Sequence, residues 1–215
     1  MSKRLKNRLN DRGSSLIDLL VGASVALVVG AGAVTFVRSQ SLAMRTQAGQ
    51  LDLNDVARAV VEFTAREIRM AGYNPRCIVP SPVDAIVTAE PQLLRIQYDL
   101  NENGVLDGGA TASEDVTYQY DADTKTLQRV VGGQASDLAT DIPENGFELK
   151  YFQIDGTQLV GTGGGGVLTG AQMAAVRRVS IRLEPVKAAD TRTTNNVRSS
   201  LWTNVTLRNR EYACQ

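Results

Sequence analysis

The chain has 215 residues, enough for one folded domain plus an anchoring segment. Its 23 Lys+Arg balance 23 Asp+Glu, and it has no histidine, which removes the commonest general base and metal ligand at neutral pH. The two cysteines are too few and too far apart for a zinc site, and no G-x-S-x-G elbow, Walker loop or dinucleotide fingerprint occurs, so no enzyme is expected. The run Gly163–Gly166 lacks the Lys-Ser/Thr of a phosphate loop and predicts flexible loop.

At the N-terminus, Lys3, Arg4, Lys6, Arg8 and Arg12 stand against Asp11 alone. The rest of the chain is therefore mildly acidic and offers no electrostatic footprint for nucleic acid. Residues 19–37 contain no charged side chain and just meet the ~20 apolar residues that a bilayer core requires of a helix. Small residues (Gly22, Ala23, Ser24, Ala26, Gly30, Ala31, Gly32, Ala33) suit close helix–helix approach. The positive-inside rule puts residues 1–13 in the cytoplasm and the remainder outside. A secretory signal peptide fits poorly, because the apolar stretch exceeds the usual 7–15 residues and no A-x-A-like site follows. A plain single-span anchor satisfies the same observations.

Asp18 is the unusual residue. A carboxylate entering an apolar helix is costly and usually has a partner. Alternatively, one turn in, it snorkels to the headgroups or caps the helix. Its surroundings sharpen the choice. The segment Arg12-Gly13-Ser14-Ser15-Leu16-Ile17-Asp18-Leu19-Leu20 resembles the type IV prepilin signal. In that family a basic leader ends in Gly, a dedicated peptidase cuts after it and methylates the new amine, and the fifth residue beyond the cut is an acid, normally Glu. The resemblance implies a cut between Gly13 and Ser14, with Asp18 as the acid. The Ser14 ammonium and the Asp18 carboxylate of neighbouring subunits would then pair, offsetting two burial penalties and setting register. Where the family usually has Phe and Glu, this chain has Ser14 and Asp18.

Beyond Val37 a helical pattern continues. Leu53, Val56, Ala57, Val60, Val61, Phe63, Thr64 and Ile68 recur at threes and fours, with charged residues on most of the other face. No Pro interrupts residues 14–72, and Gly72 then Pro75 provide a stop. Such a helix would be about 85 Å long; two helices broken near Ser39–Gly49 are the alternative. The ending Arg66, Ile68, Arg69, Met70, Ala71, Gly72, Tyr73 is similar to that of PilW-like minor pilins.

Strands are predicted at 94–98, 116–120, 147–151, 179–183 and 201–207, each alternating apolar and polar residues, with loops at 155–172 and 184–198. The expected class is α+β and pilin-like: one long helix on an antiparallel sheet head. The expected organisation is a removed leader (1–13), a transmembrane or filament-core helix (14–38), an amphipathic helix (39–72) and a β-rich periplasmic head (73–215). Outside the cytoplasm Cys77 and Cys214 are expected to pair; two buried thiols are the alternative.

Asp99-Leu100-Asn101-Glu102-Asn103-Gly104-Val105-Leu106-Asp107 fits the opening of an EF-hand-type calcium loop. Asp99, Asn101 and Asn103 would supply oxygens at positions one, three and five, Val105 its carbonyl, and Asp107 position nine. Position twelve is Ala110 rather than the bidentate Glu, so Glu114 or Asp115 would have to substitute. Asn103-Gly104 is also a hairpin turn signal in its own right.

Together these features predict a minor pilin of a type IV pilus, held in a bacterial inner membrane as a single span, then built into the fibre, at its tip. Prepilin peptidase, the inner-membrane assembly platform and other minor and major pilins would be its partners. A J-type pseudopilin of type II secretion has similar architecture. A single-span calcium-binding module that never polymerises is a further alternative.

Overall fold

The computed structural model describes residues 16–75, 84–107, 114–162, 165–190 and 193–209. The chain divides into two units, Met1–Arg45 and Thr46–Gln215. Helix α1 (Leu16–Met70) contributes to both and is continuous through residues 39–49, so the two-helix alternative does not hold.

In the first unit every described residue is exposed, including Leu16, Ile17, Leu19, Leu27, Val28 and Phe36. An apolar helix exposed all round needs lipid or other helices around it. In the second unit α1 becomes one-sided. Leu53, Ala57, Val60, Val61, Thr64, Ala65, Glu67 and Ile68 are buried, whereas Val56 and Phe63 of the predicted apolar stripe lie on its exposed flank.

All strands are antiparallel. β1 (Ile86–Ala89), β2 (Leu93–Gln97), β3 (Asp115–Asp121), β4 (Thr126–Val131) and β5 (Gln134–Ala139) form a five-stranded sheet in chain order. β6 (Phe147–Phe152) and β7 (Gln158–Leu159) precede the short helix α2 (Gly170–Ala175) and β8 (Arg178–Leu183). β9 (Val186–Asp190) and β10 (Thr193–Arg198) make a separate ribbon, and β11 (Leu201–Thr206) completes a second sheet ordered β11-β8-β6-β7. The head is thus two sheets and a ribbon rather than one sheet, and the polar stretch 184–198, predicted as loop, is mostly hairpin.

The alternation that marks β2, β3, β6 and β8 appears as alternating burial. Leu94, Ile96, Val116 and Tyr118 from one sheet, and Phe147, Leu149, Val179, Ile181 and Leu183 from the other, join Ala57, Val60, Val61, Ala65 and Ile68 of α1 in one core. Burying one such aliphatic side chain stabilises by roughly 1.5–3 kcal/mol.

The end of α1 is a built joint. Gly72 adopts φ +78, and a Cβ there would lie 2.8 Å from the Ala85 Cβ. Its N–H donates to Gln97 O at 2.8 Å, and Tyr73 N–H donates to Met70 O at 2.8 Å. Only glycine reconciles that backbone with that approach. Gly72→Ala is expected to destabilise the head by about 1–3 kcal/mol, read as a lower denaturant midpoint; an unchanged midpoint would contradict this account of the joint.

Candidate functional site

Gly13, Ser14, Cys77, Ala110 and Cys214 lie outside the described residues. The remaining candidate residues fall in two places, one in each unit.

In the first unit, Asp18 occupies the first turn of α1 and is exposed. A carboxylate there meets the positive end of the helix dipole. The helix is long and apolar enough to cross a membrane, near the N-terminus. Within the apolar half, the hydroxyls of Ser24, Thr35 and Ser39 are turned onto the helix's own backbone. Ser24 Oγ donates to Val21 O at 2.9 Å, Thr35 Oγ1 to Gly32 O at 2.8 Å and Ser39 Oγ to Phe36 O at 2.8 Å. Such self-satisfaction is what a hydrocarbon environment demands of a hydroxyl. Gly22, Ala26 and Gly30 recur every fourth residue, and nothing lies within 4 Å of where a Cβ would stand at Gly22 or Gly30. That face admits close approach by another helix.

In the second unit, the segment joining β2 to β3 brings together the oxygen-bearing residues predicted from the D-x-N-x-N-G pattern. Gly104 N–H donates to Asp99 Oδ2 at 3.0 Å, Asn103 N–H to Asn101 Oδ1 at 2.9 Å, and Val105 N–H to Asn103 Oδ1 at 2.7 Å. The amides of Asn101 and Asn103 both donate to Asp107 Oδ2, at 2.9 and 3.0 Å. Glu114, buried, ties the loop's two ends. Its Oε1 accepts from Leu100 and Asn101 N–H at 3.0 and 3.1 Å, and its Oε2 from Asp107 N–H at 2.8 Å. Asp115 is turned elsewhere, in a pair with Arg95 at 2.5 Å. Among the described residues no three His, Cys, Asp or Glu side chains gather as a metal centre. Any cation here would depend on amide and carbonyl oxygens as well.

The loop rests on the end of α1. Asp99 N–H donates to Tyr73 O at 2.7 Å, and Tyr73 OH donates to Glu102 Oε1 at 3.0 Å. That hydrogen bond, with burial and the Glu102 charge behind it, raises the Tyr73 pKa. The Met70–Tyr73 ending thus serves two ends: it stops the helix and holds the loop.

A polar cluster that the pattern-based reading missed locks α1 to the first sheet. Arg129 grips Glu67 through two of its three guanidinium nitrogens, Nη2 to Oε1 at 2.8 Å and Nε to Oε2 at 3.0 Å. Tyr118, directly across the ladder from Arg129, donates its hydroxyl to Glu67 Oε2. Burial, then the Glu67 charge, pushes the Tyr118 pKa far up, so its proton stays in place. Arg129 also lies over the Phe63 ring, 5.7 Å from its centroid. A buried Glu at position 67, among Thr64, Ala65 and Ile68, was the available signal: an acid on a core face needs a cation.

A family model described as prepilin peptidase-dependent protein B matches residues 46–207. The chain belongs to that family. The match covers well over half the sequence and coincides with the second unit, so the head, not the apolar stem, carries it. Membership makes the chain a pilin-related, prepilin peptidase-dependent protein, connected with the peptidase and the pilus machinery. No curated protein and no solved structure is detectably similar to it.

Proposed function

We propose that this chain is a minor pilin of a type IV pilus, a structural subunit that helps start or cap the fibre rather than a catalyst. One observation carries the proposal: a single helix that begins apolar, with Asp18 in its first turn, and ends buried in the core of a head of the prepilin peptidase-dependent family. The Arg66–Tyr73 ending supports a PilW-like subunit in particular.

On this reading prepilin peptidase cuts after Gly13 on the cytoplasmic face of the inner membrane. The apolar half of α1 stays in the bilayer and the head stands in the periplasm. The assembly platform then passes the subunit from lipid into a bundle of like stems, where the spaced Gly22, Ala26 and Gly30 favour close packing. Asp18 pairs with the freed amine of Ser14 on a neighbouring minor or major pilin, and so selects one stagger.

Mass spectrometry of the protein purified from cells with active peptidase tests the first step. The expected mass is that of a chain beginning at Ser14, with or without one added methyl. A chain beginning at Met1 on the functional molecule would overturn the proposal.

A further inference from the structure

We infer that residues 99–107, between β2 and β3, form a calcium site, with Asp99, Asn101, Asn103, the Val105 carbonyl and Asp107 as its oxygen donors. This inference is independent of fibre assembly. It begins from two buried carboxylates. Asp99 is 0% exposed and Glu114 1%. The six ion pairs among the described residues include neither of them, nor Asp107 or Glu102. Buried charges without a counter-charge are costly, and proteins avoid them or neutralise them.

The two acids differ in how they are used. Glu114 spends both oxygens on three backbone N–H groups and fixes the loop's two ends. Asp99 spends one oxygen on Gly104 N–H, and its Oδ1 has no hydrogen-bond partner among the described residues. A fully buried carboxylate oxygen beneath a loop of amide oxygens wants a cation, because no donor is supplied to it.

The loop is already folded as such a site needs. Hydrogen bonds from Gly104 to Asp99, Asn103 to Asn101 and Val105 to Asn103 hold a side-chain oxygen of every second residue against the loop's own backbone. Gly104, at φ +79, makes the sharp turn at position six. Each amide oxygen retains a second lone pair for a metal. Asp107 now accepts both asparagine amides, and these would rotate away as it turns to the ion. The donors are hard oxygens, which suits calcium; magnesium demands a near-ideal octahedron and gives up its water reluctantly. With few charges in contact with the ion, the affinity expected is ~10⁻⁴–10⁻³ M, that of extracellular modules.

The test uses the full chain in detergent micelles, stripped with EDTA, then titrated calorimetrically with calcium chloride and melted with and without it. One ion should bind. At ten millimolar calcium, about ten- to a hundred-fold above Kd, the unfolding midpoint should rise by about 3–10 °C. Magnesium chloride at the same concentration should give less than half that rise. Asp99→Asn keeps an acceptor for Gly104 but should abolish the gain. If that variant does not fold, Asn103→Ala, at an exposed position, should weaken binding at least tenfold. No heat with an unchanged midpoint in the wild type, a gain that survives in these variants, or an equal gain from magnesium would each overturn the site.

Discussion

Glu67→Ala is expected to lower the unfolding free energy of the head by about 3–5 kcal/mol, because it leaves a buried guanidinium without its carboxylate. That corresponds to a midpoint fall of about 6–20 °C for a chain of this size. The side chains of Arg129 and Glu67 are only 16% and 10% exposed, so water cannot substitute for the missing partner. Tyr118 loses its acceptor in the same step, adding a second unpartnered polar group. The effect should be asymmetric. Glu67→Met combined with Arg129→Leu removes both charges and should recover part of the loss, since an apolar pair avoids the desolvation penalty while the Tyr118 hydroxyl stays without its acceptor. Thermal unfolding of the full chain in detergent checks both. A fall under 2 °C for Glu67→Ala would show that the cluster contributes little.

The second large effect concerns assembly rather than folding. Asp18→Ala should cut fibre yield at least tenfold while leaving the melting of the head unchanged, because Asp18 lies in the first unit and the core in the second. Two unit charges about 4 Å apart attract by about 4 kcal/mol at an effective dielectric constant near 20. Even after desolvation takes much of this, losing the pair at the subunit that starts the fibre withholds the first junction on which the later ones are added. Asp18→Glu restores the charge with a longer reach and should restore assembly. Counting fibres by electron microscopy reads the result. Normal numbers from Asp18→Ala would remove the basis for the pairing between Asp18 and the Ser14 amine.

The parts of the fold visible in the sequence are those with one wet and one dry face. Leu94 and Ile96, Val116 and Tyr118, and Val179, Ile181 and Leu183 alternate cleanly, and their strands were predicted within a residue or two. β5 escaped because it is a mostly exposed edge strand with little to bury. Its signal lay in the turn: Gly132 and Gly133 both adopt positive φ, at 55 and 78, and Val131 pairs with Gln134, a two-residue hairpin written as Gly-Gly. α2 likewise announces itself through Thr169 and Gln172, a capping box in which Thr169 N–H donates to Gln172 Oε1 at 2.9 Å. β10 is polar along most of its length and the apolar residues of β9 are only valine and alanine, so composition alone reads as loop.

The sites divide in the same way. Asp99, Asn101, Asn103 and Gly104 follow a local spacing rule and are legible as a line of letters. The partnership of Glu67 with Arg129 spans 62 positions, and no local period encodes it. Sequence can show that an acid sits on a core face; only the sheet register reveals that Arg129 and Tyr118 stand side by side to receive it.

The self-bonded hydroxyls of the stem carry one further consequence. Ser24, Thr35, Ser39 and Ser41 each direct their proton to a carbonyl of their own helix. These groups offer no donor to an adjacent chain. Between residues 24 and 37, which carry no other side-chain donor, a neighbour is then met through contour alone, which tolerates many helices of similar outline. On the proposed reading, discrimination among subunits would then fall to the second unit, where the side chains differ enough to be told apart.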